Sequence, residues 1–155
     1  MNDDEAWFKR RIGLSYKALG NSELAIKYLE EVVKVKNNWH NRFFLAEAYH
    51  DDNQLDKALK EALKAALMET NAKPRQKINL YVFLKDLFYE KGFIKEYKEI
   101  SDLIYTIKFN WDTFLVDDED EDYLEFLKEL EDDQLDVVSL EKKLRKDWRK
   151  LLKKL

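Results

Sequence analysis

Residues 20–35 (GNSELAIKYLEEVVKV) and 53–68 (NQLDKALKEALKAALM) carry one pattern twice, 33 residues apart. Gly20 aligns with Asn53, Ala25 with Ala58, Leu29 with Ala62 and Val32 with Ala65. Upstream, Ile12 aligns with Leu45, Gly13 with Ala46 and Tyr16 with Tyr49. Self-similarity at this period is the signature of stacked helical units, each too small to bury its apolar face alone. It turns the functional question into what a groove holds.

The rest of the chain fits helices. There is one Pro and there are three Gly, which leaves little room for tight-turned sheets. The spacing predicts helices over about 4–19, 23–36, 39–51 and 54–69. Asp3 and Asp4 stand where a cap and a favourable dipole contact belong, Ser22 can cap the second helix and Asn53 the fourth. Pro74 suits the first turn of a fifth helix that ends at Lys91-Gly92, because its missing N–H is not needed there. A sixth runs over about 94–108, with Ile94, Tyr97, Ile100, Leu103, Ile104 and Ile107 at three- and four-residue spacing. This third pair is a shifted copy: Leu45 aligns with Leu84, Tyr49 with Phe88, Asn53 with Gly92 and Ala65 with Ile104. Trp111 can start a truncated fourth unit. Two more helices are expected, at about 121–133 (Tyr123, Leu124, Phe126, Leu127, Leu130) and about 138–155. The last carries Leu140, Leu144, Trp148, Leu151, Leu152 and Leu155 on one face.

These residues resemble tetratricopeptide repeats, whose first helix carries a large apolar residue, a small one and an aromatic. A Gly then marks the turn and a small residue follows in the second helix. The first unit supplies Ile12, Gly13, Tyr16, Gly20 and Ala25; the second supplies Leu45, Ala46, Tyr49, Asn53 and Ala58. Small residues let two helices approach, and the aromatic fills the next gap. The third unit keeps Leu84, Phe88 and Gly92 but places Lys85 and Tyr97 where small residues belong. The resemblance implies an all-α, right-handed α-solenoid of antiparallel helix pairs over 1–110, with C-terminal capping helices. It leaves 111–155 as an acidic linker and helix followed by a basic amphipathic helix packing on the array.

The resemblance also implies that the first helix of each pair lines a concave binding surface. By position this assigns Arg10, Leu14 and Lys17, then Phe43, Glu47 and His50, then Val82, Asp86 and Tyr89. Such a groove is basic at one end, apolar along its length and acidic toward the other end. Some relatives clamp a C-terminal carboxylate with basic and Asn side chains. Arg10 matches one basic position, but Leu14 and Phe44 replace the Asn residues, and Asn79 and Phe83 replace later basic ones. No carboxylate clamp is expected.

The net charge of −4 hides an asymmetry. Residues 112–136 carry thirteen acids against Lys128 alone, whereas 138–155 carry eight Lys/Arg against Glu141 and Asp147. Three readings of the basic last helix compete: a cap on the array, a segment docking on a partner protein or membrane surface, or a contact to nucleic-acid phosphates. Capping is favoured, since a Trp and five Leu on one stripe would otherwise form a large exposed patch. Thirteen nearby acids argue against nucleic acid. Within the acidic run, Asp118, Asp120, Asp122 and Glu129 have the spacing of a calcium loop. Tyr123 occupies the position such a loop gives to Gly, so a solvated linker is the reading adopted.

Catalytic chemistry is sparse. His40 and His50 are the only histidines and are not an i,i+4 metal pair. There is no Cys and no glycine-rich phosphate loop. No enzyme and no cofactor are expected. The acidic N-terminus has no apolar core of the kind a signal peptide needs, and no run approaches a membrane span, so a cytoplasmic location is expected. The function expected is a protein-interaction adaptor that binds a protein or peptide segment in the groove. The alternative is a regulatory switch whose basic terminal helix docks on a partner, membrane or nucleic acid. The sequence does not specify an oligomeric state.

Overall fold

One turn geometry recurs three times along the chain. The computed structural model describes residues 2–111, 125 and 136–155. Helix α1 (Asp3–Ala18) ends through Gly20 at φ +79°. The Asn21 N–H donates to the Tyr16 carbonyl at 2.9 Å and the Gly20 N–H to the Lys17 carbonyl at 3.1 Å. This is a Schellman motif, which satisfies carbonyls left open at a helix end. Helix α3 (Trp39–Asp51) ends in the same way: Asn53 stands at φ 58°, and Gln54 N–H donates to Tyr49 O at 2.9 Å. Helix α5 (Ile78–Glu90) repeats it with Gly92 at φ 77° and Phe93 N–H donating to Phe88 O at 2.8 Å. The alignment of Gly20, Asn53 and Gly92 in sequence is thus an alignment of backbone handedness.

That geometry corrects the role expected for Asn53. It is the left-handed residue that closes α3, not the cap of α4 (Leu55–Leu67), whose N-cap is Gln54 with no capping hydrogen bond from its side chain. An L residue with a Cβ is strained there, Asn less than most. Asn53→Gly should therefore raise stability by a few tenths to about 1 kcal/mol, and Gly20→Ala should lower it by about 1 kcal/mol. Urea unfolding followed by far-ultraviolet circular dichroism reads both; a loss on Asn53→Gly would contradict the assignment.

The other starts also shift by a residue. Asn2, Asn21 and Asn38 are the capping side chains, accepting from the N–H groups of Glu5 (2.9 Å), Leu24 (3.2 Å) and Asn41 (2.9 Å). Asp3 and Asp4, expected as caps, lie in the first turn with Glu5, where negative charge suits the helix dipole. Ser22, expected to cap α2 (Ser22–Val35), is its first residue. Pro74 opens a short 3-10 turn, Pro74–Lys77, so α5 itself starts at Ile78. The Lys73 N–H donates to Gln76 Oε1 at 2.7 Å and the Gln76 N–H to Lys73 O at 2.9 Å, which closes that turn on itself.

The chain divides into two compact units, Met1–Thr70 with Leu151–Leu155, and Asn71–Lys150. In the first, α1 packs on α2, α2 on α3 and α3 on α4, and α1 also touches α3. The close approaches fall where small residues were expected. Ala25, Ala46 and Ala58 are fully buried, and a Cβ on Gly13 would lie 3.0 Å from Leu29 Cγ and 3.3 Å from Tyr28 Cβ. Leu29, Leu59 and Leu63 fill the interior. Ile12 departs from expectation. Its counterpart Leu45 is buried on α3, which packs on α2, whereas Ile12 is exposed.

In the second unit α5 packs on α6 (Ile94–Trp111), burying Leu80, Leu84, Leu87, Phe88, Ile100, Leu103 and Ile107. Lys85 and Tyr97 are only half-buried, and the Tyr97 ring centroid lies 5.3 Å from that of Tyr89. The C-terminal helix α7 (Val137–Lys154) buries Leu144 and Trp148. The Trp148 ring lies 5.9 Å from Tyr81 and 6.4 Å from Phe88, both on α5. Glu141 accepts from the Tyr81 hydroxyl at 2.6 Å and sits 3.4 Å from the buried Lys77 ammonium. The acidic run of 112–135, the helix expected at 121–133 (Glu125 apart), the calcium-like spacing from Asp118 to Glu129 and any unit beyond Trp111 lie outside the described residues. Among the described residues there is no strand, and no helix is long and apolar enough to cross a membrane.

Candidate protein-binding face

Arg10, Leu14 and Lys17 are four and three residues apart on α1, and Phe43, Glu47 and His50 repeat that spacing on α3. On an α-helix such spacing puts each trio on one face. All six side chains are half-buried, and the two helices touch. Lys17 Nζ reaches 3.5 Å from Asp51 Oδ2, which links the two helices across this face. The first unit thus brings these six expected residues onto neighbouring helices.

Electrostatics ties the face together. Burial raises the Glu47 carboxyl above the usual carboxylate range; Lys17 opposes the shift, Asp51 adds to it and His50 opposes it. Burial likewise holds His40 below the ordinary histidine value, and the Arg10 charge pushes the same way. Its imidazole stacks on Trp39 at 3.7 Å between centroids. Half-buried Leu14 and Phe43 therefore share the face with an Arg10–His40 pair and with a Lys17–Glu47–His50–Asp51 cluster. Phe43 lies nearly parallel to Phe44, at 6.5 Å and 7°.

His40 and Asp51 were not among the groove residues read from the sequence. A signal for them existed: His40 precedes Phe43 by three residues and Asp51 follows Glu47 by four, so the α3 stripe extends one turn at each end. Of the α5 positions, which lie in the second unit, Val82 is half-buried while Asp86 and Tyr89 are exposed.

The face offers cations, carboxylates, an imidazole and two apolar side chains. That set can hold a peptide by its backbone and side chains. Where a carboxylate clamp would place Asn, Leu14 and Phe44 present half-buried hydrocarbon. No group of three or more His, Cys, Asp or Glu among the described residues is placed to hold a metal ion.

Residues 11–38 match the family model of the tetratricopeptide repeat. The matched segment runs from the middle of α1, through the Gly20 turn and α2, to the cap of α3. It takes in Gly13, Tyr16, Gly20 and Ala25, the residues on which the resemblance rests. No curated protein matches the chain. Residues 11–38 are thus similar to a tetratricopeptide repeat.

Proposed function

From the tetratricopeptide repeat at 11–38, we propose that this chain is a non-catalytic adaptor that holds a protein segment against the face built by α1 and α3. Repeats of this family are in general protein-interaction scaffolds. The observation that carries the reading is the half-buried Leu14 and Phe43 with charged groups on the same face. An apolar anchor surrounded by polar groups is how a groove takes a peptide, by helix or by extended strand. On this reading Val82, Asp86 and Tyr89 are candidate contacts carried by the second unit.

The alternative switch is less well supported. It needs the apolar stripe of α7 to be available to a partner, and Leu144 and Trp148 are buried. The outward Lys142, Lys143, Lys146, Arg149 and Lys150 remain as a solvated basic face.

The test is affinity capture with the full chain and with a Phe43→Ala, Tyr89→Ala double variant. Partners held by the wild-type chain should be reduced at least tenfold on the variant, since truncating an aromatic anchor typically removes about 2 kcal/mol or more of binding. A partner set indifferent to the double variant would count against the groove. Circular dichroism should show an unchanged helix content, because neither side chain is fully buried.

A further inference from the structure

The 33-residue offset relates α1 to α3, but their outward faces differ in exposure. On α3 the face formed by Asn41, Leu45, Ala48 and Tyr49 is buried, Asn41 at 2% and Leu45 at 3% exposure. Helix α2 sits against it. Tyr49 Oη donates to Glu30 Oε1 at 2.6 Å and Asn41 Nδ2 donates to the Lys36 carbonyl at 2.9 Å. The corresponding positions on α1 are Phe8, Ile12, Ser15 and Tyr16. Phe8 is 60% exposed and Ile12 41%, with Trp7 and Leu19 also exposed beside them. Together with Arg11 they line a shallow, mostly apolar depression of about 470 Å³.

We propose that this face of α1 docks an amphipathic helix of a partner protein, one that carries glutamate or aspartate along its flank, seated as α2 is seated on α3. The internal copy supplies the geometry: a helix of 14 residues covers the equivalent surface and places Glu30 on a tyrosine hydroxyl. Tyr16 is the residue in that position on α1. Charge sets the chemistry of the occupant. Among the described residues Arg11 is the one ionised side chain lining the depression, its guanidinium 5.2 Å from the Trp7 ring centre, and none of the lining residues is a carboxylate. A second copy of this chain would bring the same patch to a two-fold contact. That contact would set Arg11 on both sides with no acid to receive either. An acidic partner helix supplies the missing charge.

The site is separate from the α1–α3 face, so the two proposals fail independently. The probe is a synthetic helical peptide with the sequence of residues 21–36, which contains α2 and its glutamates. It is titrated into the isotope-labelled full chain and followed by amide chemical shifts. Shifts should appear at Trp7, Phe8, Ile12 and Tyr16, should weaken at least tenfold in Phe8→Asp and in Ile12→Asp, and should survive Phe43→Ala. Replacing the three glutamates of the peptide by lysine should abolish them, and pairing that peptide with Arg11→Glu should restore them. No shift at millimolar peptide, shifts on α3 that report displacement of α2, or the same shifts on concentrating the protein alone would each overturn the proposal. Phe8, Arg11 and Ile12 are exposed and Phe43 is half-buried, and thermal unfolding of each variant checks that the fold is retained.

Discussion

Replacing Trp148 with alanine should lower the free energy of unfolding by about 3–5 kcal/mol, the range for truncating a large buried aromatic. Trp148 is 1% exposed and lies within ring-contact distance of Tyr81 and Phe88 on α5. Removing it opens a cavity whose walls are those two rings, and neither can follow the retreating side chain, because both are themselves packed. Leu144, one turn earlier on α7, is equally buried and loses a neighbour on its own stripe. Urea unfolding monitored by circular dichroism measures the loss. Trp148→Phe should recover part of it, since a smaller ring still fills some of the space. A loss below about 1 kcal/mol, the size expected of an exposed side chain, would mean that α7 is not held against α5.

The second large effect is polar. Glu141→Ala should cost about 3–5 kcal/mol, because it takes a charge partner from the buried Lys77 and the acceptor from the buried Tyr81 hydroxyl. The Lys77 ammonium is 3% exposed and stands 3.4 Å from the Glu141 carboxylate, which also accepts the Tyr81 hydroxyl proton at 2.6 Å. Burial first, then the Glu141 charge and hydrogen bond, raise the Tyr81 hydroxyl above the ordinary phenol range, so it stays a donor throughout the range of ordinary buffers. Glu141→Gln should lose less than Glu141→Ala, since the amide oxygen can still receive Tyr81. Lys77→Met combined with Glu141→Leu and Tyr81→Phe should recover much of the loss, as hydrophobic replacements of whole buried polar groups often do. The effect of Glu141→Ala should persist in 1 M salt, whereas a charge removed from the far more solvated, half-buried Lys9–Glu31 pair should show little even at low salt. A Glu141→Ala loss that vanishes in salt would identify the pair as solvated.

The helices were legible because their periodicity is strong and their breaks are chemically marked. Gly20, Asn37-Asn38 and Gly92 fall between elements as expected. The capping residues were less legible, since adjacent residues compete for one role: Asn2 with Asp3, and Asn21 with Ser22. Asn53 shows the stronger lesson. Its alignment with two glycines already specified a left-handed backbone, but its side chain reads as a cap when taken alone. The α1 and α3 positions of the candidate face came from the repeat resemblance, and they recur at helical spacing on both helices. His40 and Asp51 lie one turn beyond the ends of the α3 stripe, and the Arg10 charge and the Lys17–Asp51 contact from α1 reach them. The exposure of Ile12 and Phe8 was illegible in the sequence. Their sequence is that of a packing face, and whether such a face is covered depends on what lies before it in space.

The three left-handed turn residues also have a stereochemical consequence. Positions 20, 53 and 92 are places where the backbone has the sign of φ natural to a D-amino acid. Among the described residues, chain neighbours aside, nothing lies within 4 Å of the ideal Cβ position on Gly20 or Gly92, so a side chain there meets strain through its chirality. In a chain assembled by chemical ligation, D-alanine at either glycine would hold the turn while removing the entropy that glycine carries in the unfolded chain. The repeat thus marks, in its own sequence, the points at which its handedness can be inverted one residue at a time.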